Sequence, residues 1–246
     1  MLKNKKTRIV TILILSFVML FGAIFGFYVS DYYRADDIAL EATFSDSTVT
    51  VIQKNDDCVV FTPEEPERGL VFYPGGKVEY TAYAPLMKAL AAEGFFCVLV
   101  KMPFNLAVFD INAADDVLSE YTSIDEWFIG GHSLGGAMAA SYASKNADKL
   151  EGLILLGAYS TEDLKDSDLT VFEISATEDE IWMPDDAEKF EEYRANLPSD
   201  AFSISIEGGC HAYFGSYGEQ EGDGNPTITP EEQIKQTADF ITESLN

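Results

Sequence analysis

Histidine is nearly missing from this chain of 246 residues: His132 and His211 are the only two, so any chemistry that needs an imidazole must use one of them. Cysteine is almost as scarce. Cys58, Cys97 and Cys210 are too few and too scattered for a disulfide framework or a zinc site, and allow at most one bridge with a thiol left over. Cys58 and Cys97 lie in apolar, strand-like stretches where cysteine is usually small core filler. Positive charge is also short, with 16 Lys and Arg against 42 Asp and Glu, a formal net charge of −26. Such a surface repels nucleic acid and anionic head groups, which excludes both as partners and leaves acidity the task of keeping an exposed domain soluble. Internal repeats and low-complexity tracts are absent as well.

The few basic residues are unevenly placed. Lys3, Lys5, Lys6 and Arg8 precede an uncharged run from Ile9 to Val29, and the first acidic residue is Asp31. As a helix that run is about 30 Å long, the thickness of a bilayer core. Residues 9–29 are therefore expected to be a transmembrane anchor, with 1–8 a cytoplasmic basic tail and the rest of the chain outside the cell membrane. Tyr28 and Tyr32 suit an interfacial aromatic belt. A cleaved signal peptide is the alternative, but the run is longer than a usual h-region, no A-x-A site follows, and there is no lipobox-like cysteine. Residues 30–47 read as a juxtamembrane connector, weakly helical around Asp36 to Phe44, and 48–246 as one domain.

Within that domain strand and helix signals alternate. Thr48 to Ile52 and Cys58 to Phe61 form an opening hairpin around Asn55-Asp56-Asp57. Leu70 to Tyr73 is a short buried strand, Thr81 to Glu93 has helical spacing and stops at Gly94, and Phe95 to Val100 is a continuous apolar run. Asp110 is placed to cap a helix striped by Ile111, Ala114, Leu118 and Tyr121. Leu153 to Leu156, Val171 to Ser175 and Phe202 to Ile206 are further strands. Asp185 and Glu188 are set as cap and N3 of a helix, and Thr229-Pro230-Glu231-Glu232 is a capping box opening a last helix with Ile234, Ala238 and Ile241 inward. The alternation predicts a mostly parallel, doubly wound α/β sheet.

The centre of the pattern is Trp127 to Gly136, WFIGGHSLGG. A strand ending runs into Gly131-His132-Ser133-Leu134-Gly135 and then into the helix-like AMAASYASKN, the G-x-S-x-G arrangement in which a serine is thrust from a tight strand-to-helix turn. A serine hydroxyl needs a base, and the base needs a partner to fix its tautomer. His132, next to the serine, is directed away from it and reads as packing. His211, on a glycine-rich loop after the last strand, is the candidate base. The acid is expected after the strand between them, where Asp179 is best placed and Glu178 and Glu180 are its rivals. Two backbone N–H groups complete such a site: Leu134 after the nucleophile, and Gly76, or Lys77 in its place, on the Pro74-Gly75-Gly76 loop.

With FYPGGKVEYTAYAPL, VKMPFNLAVF, GGHSLGGAMAA and IEGGCHAYFGSYGEQEGDG in hand, the chain resembles the α/β-hydrolase superfamily from about Leu70 to its C-terminus. More narrowly it is similar to membrane-anchored bacterial hydrolases of the dienelactone-hydrolase-like branch. The resemblance implies the α/β-hydrolase fold, a Ser133, Asp179, His211 triad, and no metal or organic cofactor. Dienelactone hydrolases proper use a cysteine nucleophile; a serine stands here, so their substrate class does not carry over. The acid loop departs from the usual glycine-containing turn, since Ala176-Thr177-Glu178 precedes Asp179. There is no room for a large cap domain, so loops 103–108, 159–168 and 213–226 are expected to shape the pocket. Lys77, Lys101, Tyr159, Tyr213 and Phe214 are its candidate lining, the two lysines as attractors of an anionic group. The expected partner is a small acyl substrate, most simply a carboxylic ester. A non-catalytic binding or envelope protein, and an acyltransferase using the same triad, are the alternatives.

Overall fold

Leu70 and Phe72 pack on one side of their strand and Val71 and Tyr73 on the other, and all four are buried. A strand whose two sets of side chains are both covered belongs inside a sheet with helices on each face, and the computed structural model has that arrangement. The structure describes residues 5–181 and 187–245.

The chain divides into two units, 1–32 and 33–246. In the first, α1 (Lys5–Ser30) is a single helix, and its segment Thr7–Ser30 is long and apolar enough to cross a membrane by length and composition. In the second, a short helix α2 (Asp37–Ala42) leads into the hairpin β1 (Val49–Lys54) and β2 (Cys58–Pro63). The remaining elements are β3 (Arg68–Tyr73), α3 (Ala84–Ala92), β4 (Phe95–Val100), α4 (Ala113–Glu120), β5 (Trp127–His132), α5 (Leu134–Ala143), β6 (Gly152–Leu156), β7 (Thr170–Ala176), α6 (Ala187–Arg194), β8 (Phe202–Ile206) and α7 (Pro230–Ser244). The eight strands form one sheet in the order β1-β2-β4-β3-β5-β6-β7-β8, antiparallel at β1-β2 and β2-β4 and parallel elsewhere.

Two buried apolar clusters lie on the two faces. One joins Leu70, Phe72 and Phe128 to Leu86 and Leu90 of α3 and Ile234 and Ile241 of α7; the other joins Val71, Tyr73 and Ile129 to Ala139 and Tyr142 of α5 and Val117 of α4. Each large side chain so covered contributes roughly 1.5–3 kcal/mol of transfer free energy. The helix ends follow local chemistry where local chemistry is strong. Gly94, at φ +99°, takes the left-handed position after α3, and Thr229 and Glu232 cap α7 reciprocally with Pro230 in its first turn.

Two expectations change, and the cysteine pairing left open by the sequence is decided. The segment 81–93 opens as a 3₁₀ turn (Tyr80–Tyr83) before α3 begins at Ala84. α4 is not capped by Asp110, which ends a 3₁₀ turn instead; its N-cap is Asn112, and the Tyr73 hydroxyl accepts from Ala114 N–H while donating to Ile111 O. All three cysteines are free thiols, with Cys97 and Cys210 buried. Asp185, proposed as a cap, lies outside the described residues.

Candidate active site

Because β5 is hydrogen-bonded between β3 and β6, the loops that follow these three strands meet at one end of the sheet. At the end of β5 the chain turns on Ser133, which has φ +53° and ψ −122°, a strained conformation for any residue with a Cβ. The turn is held by Ser133 N–H donating to Leu156 O (3.0 Å) and by Ala137 N–H donating to Ser133 O (3.1 Å). Close packing explains the glycines: a Cβ on Gly135 would run into the carbonyl oxygens of Tyr73 and Pro74, and one on Gly131 into the backbone of Gly135. Ser133 itself is half-buried, at the start of α5.

The loop after β3 lies against it. A Cβ on Gly76 would come within 3.1 Å of the Leu134 side chain, so the two residues are neighbours, and among the described residues neither N–H has a hydrogen-bond acceptor. Lys77 differs. Its N–H donates to Asn105 O at 2.8 Å, so this backbone group is already engaged and the alternative donor is set aside.

His211 is 1% exposed and its Nδ1 lies 2.7 Å from Oδ2 of Asp179, which is 2% exposed. Oδ1 of Asp179 accepts from Ile181 N–H (3.0 Å). Of the neighbouring acids, Glu180 is exposed and Glu178 takes a hydrogen bond from the Thr177 hydroxyl, so Asp179 alone of the three joins the imidazole. Gly157, the residue after the carbonyl that holds Ser133, sits at φ +47° and packs tightly beside this pair, a Cβ there falling 3.1 Å from His211 Nδ1 and 3.2 Å from Asp179 Oδ2.

The histidine loop has two supports that local pattern did not reveal. Asp223 accepts from His211 N–H (3.2 Å) and Ala212 N–H (2.8 Å), while Gln233 of α7 accepts from Cys210 N–H (2.9 Å) and donates to Cys210 O (2.8 Å). A glutamine next to Ile234, on the face of α7 that also turns Ala238 and Ile241 inward, is the signal that could have found the second. Burial pushes the Cys210 thiol up to about 12, so it is an inert neighbour of His211.

His132 does more than pack. It is buried, its Nδ1 lies 2.7 Å from the Tyr83 hydroxyl, and its ring centre is 4.3 Å from that of His211. The same hydroxyl accepts from Gly75 N–H (3.0 Å), which leaves its own proton for His132 Nδ1 and assigns the imidazole proton to Nε2. Burial, and then the neighbouring His211, hold the His132 pKa well below the usual imidazole range.

The predicted lining is dispersed. Lys101 pairs with Asp56 (2.5 Å) in a separate 660 Å³ cleft that also contains Asp57, Asp116 and Glu120, too acidic a surrounding to collect an anion. Phe214 is fully buried against His132 and is core rather than wall. Tyr213, half-buried, borders a 150 Å³ cavity with Cys210 and Asp223; Tyr159 stacks on Tyr193 with ring centres 4.0 Å apart; Lys77 is half-buried beside Gly76. No group of His, Cys, Asp and Glu among the described residues could hold a metal ion.

Comparison with known proteins bears on the fold. The model of the alpha/beta hydrolase family matches residues 69–235. Naproxen esterase from Bacillus subtilis is similar in structure at 12% identity, with 85% of this chain and 95% of that one covered and a TM-score of 0.59. TT1662 from Thermus thermophilus is similar at 15% identity, with 81% and 99% covered and a TM-score of 0.59. Dienelactone hydrolase from Anabaena variabilis is similar at 13% identity, with 79% and 94% covered and a TM-score of 0.56. No curated protein matches in sequence. The sheet order, the turn at Ser133 and a family match running from β3 into α7 lead to one assignment: the chain belongs to the alpha/beta hydrolase family.

Proposed function

We propose that this hydrolase-family protein is a serine esterase that cleaves a carboxylic ester through an acyl-enzyme. The observation that carries the reading is the buried pair of His211 and Asp179, 2.7 Å apart, on the same end of the sheet as a serine held at φ +53°. Asp179 fixes the His211 proton on Nδ1, which leaves Nε2 as the base. His211 Nε2 takes the Ser133 hydroxyl proton as Oγ bonds to the substrate carbonyl carbon. The oxyanion so formed is held by the N–H groups of Gly76 and Leu134, at the positive end of α5. When the carbonyl reforms, the C–O bond to the alcohol breaks and His211 gives its proton to the departing alkoxide. Water then enters, loses a proton to His211 and releases the acid, returning Ser133 to its hydroxyl form.

The chain is read as a single-pass membrane protein, with residues 1–8 in the cytoplasm, 9–29 across the bilayer and the α/β unit outside. Four basic residues before an uncharged run support that orientation.

Labelling with a fluorophosphonate probe tests the chemistry. Wild-type protein is expected to label, Ser133→Ala not at all and His211→Ala very weakly. A folded wild type that stays unlabelled and leaves p-nitrophenyl esters of every chain length intact would overturn the reading.

A further inference from the structure

The residues that open the second unit, Tyr33 to Asp36, are bonded to both loops of the proposed site. On one side, Tyr33 N–H donates to Lys77 O (2.8 Å), Glu79 N–H donates to Tyr33 O (2.8 Å), and Ala35 N–H donates to the Glu79 carboxylate (3.1 Å). On the other, Asp36 N–H donates to Ser216 O (3.0 Å), the Ser216 hydroxyl donates to the Asp36 carboxylate (2.9 Å), and Glu221 N–H donates to the Tyr33 hydroxyl (3.3 Å). The Tyr33 and Tyr217 rings lie 5.6 Å apart. Ser216 is 1% exposed, on the loop that carries His211.

From these contacts we infer that Tyr33–Asp36 is a positioning strap, setting the oxyanion loop and the histidine loop at the separation that catalysis requires. The inference rests on the serine-esterase reading. Lys77 explains why such a strap is needed. It sits at φ +59°, unfavourable for a residue with a Cβ, and its N–H and C=O are both held from outside the loop, by Asn105 and Tyr33. Lys77 follows Gly76 directly, so holding its N–H and C=O anchors the chain immediately after the Gly76 donor and limits how far that loop can shift. Asp36 transmits the constraint to the other loop because its carboxylate is fixed twice, by the Ser216 hydroxyl and by Ala39 N–H at the start of α2. Tyr33 and Asp36 touch no reacting atom; they act through Lys77 and Ser216.

The test uses full-length protein in detergent micelles, with a short-chain p-nitrophenyl ester, and measures kcat, KM and Tm for Ser216→Ala, Asp36→Ala and Asp36→Asn. Displacing a catalytic donor by about 1 Å costs up to roughly 100-fold in rate. Ser216→Ala and Asp36→Ala are each expected to lower kcat by about 10- to 100-fold with KM within about twofold, and the double variant to be no slower than the worse single one. Asp36→Asn, which keeps an acceptor for both Ala39 and Ser216, is expected to restore most of kcat. If Asp36→Ala fails to fold for want of its helix cap, Ser216→Ala carries the test alone, since it leaves the cap in place. Unchanged kcat in Ser216→Ala overturns the strap, as does a loss in Asp36→Ala that Asp36→Asn does not repair. Ser133→Ala in the same assay separates the two ideas. Ser133-dependent turnover with unchanged kcat in Ser216→Ala refutes the strap alone, whereas turnover that survives Ser133→Ala refutes the esterase reading and the strap with it.

Discussion

Replacing Tyr83 by phenylalanine removes one oxygen atom and leaves two buried groups without a partner. The ring itself stays, in contact with Phe72 (5.2 Å between centres) and Tyr217 (6.5 Å), so packing changes little. The losses are the acceptor for Gly75 N–H and the donor to His132 Nδ1, both in a site closed to solvent. A buried polar group left unsatisfied costs about 1–3 kcal/mol, so the pair costs roughly 2–6 kcal/mol, a large part of the stability of an ordinary domain. For a unit of this size each kcal/mol moves Tm by roughly 2–4 °C, giving an expected fall of about 4–24 °C. Because Gly75 precedes the proposed oxyanion donor, kcat should fall as well, at a temperature where the variant is fully folded. Thermal denaturation followed by circular dichroism, together with ester turnover, measures both. A Tm within about 2 °C of wild type would refute the argument, by showing that the hydroxyl contributes nothing net.

Further expectations concern the same region. Asp179→Asn should lower kcat by roughly 10³- to 10⁴-fold by permitting the wrong tautomer of His211, while Glu178→Gln and Glu180→Gln stay within about twofold; comparable losses at all three would reject Asp179 as the acid. Ser133→Gly should be more stable than Ser133→Ala by roughly 1 kcal/mol, because only the first relieves the positive φ; equal melting temperatures would show that no strain is stored there. His132 should make stability sensitive to acid. In the unfolded chain it takes up a proton below about pH 6.5, but in the fold burial keeps it neutral, so stability present above that pH is lost as pH falls. Between about pH 7.5 and about pH 5 the wild type should lose roughly 2 kcal/mol more than His132→Asn, and parallel pH profiles in denaturant melts would contradict this.

Much of the fold was legible because local chemistry and tertiary demand agree in particular places. β4 begins and ends where its apolar run does, β8 spans the alternating FSISI, and α7 opens at its capping box. The turn at Ser133 could be read because the glycines around it are a steric requirement. What escaped reading depends on partners distant in sequence. The start of α4 answers to the Tyr73 hydroxyl, so Asp110 misled. Lys101 is claimed by Asp56 in the hairpin turn, and nothing near either residue in sequence announces the pair. Tyr83 looks like one more apolar position on a helical stripe, and its hydroxyl acquires a task only when β3 and β5 bring Gly75 and His132 to it.

The contact between Asp36 and Ser216 spans 180 positions of sequence. A ribosome must therefore deliver the chain as far as Ser216 before that bond can close, and a chain interrupted anywhere before Ser216 lacks it however well its early strands have paired. Closing so wide a loop is entropically slow, which places completion of the proposed catalytic end late in folding, after the sheet is established. Newly made protein is then expected to gain native-like circular dichroism before it gains turnover, the interval between the two reporting the closure of contacts this far apart in sequence.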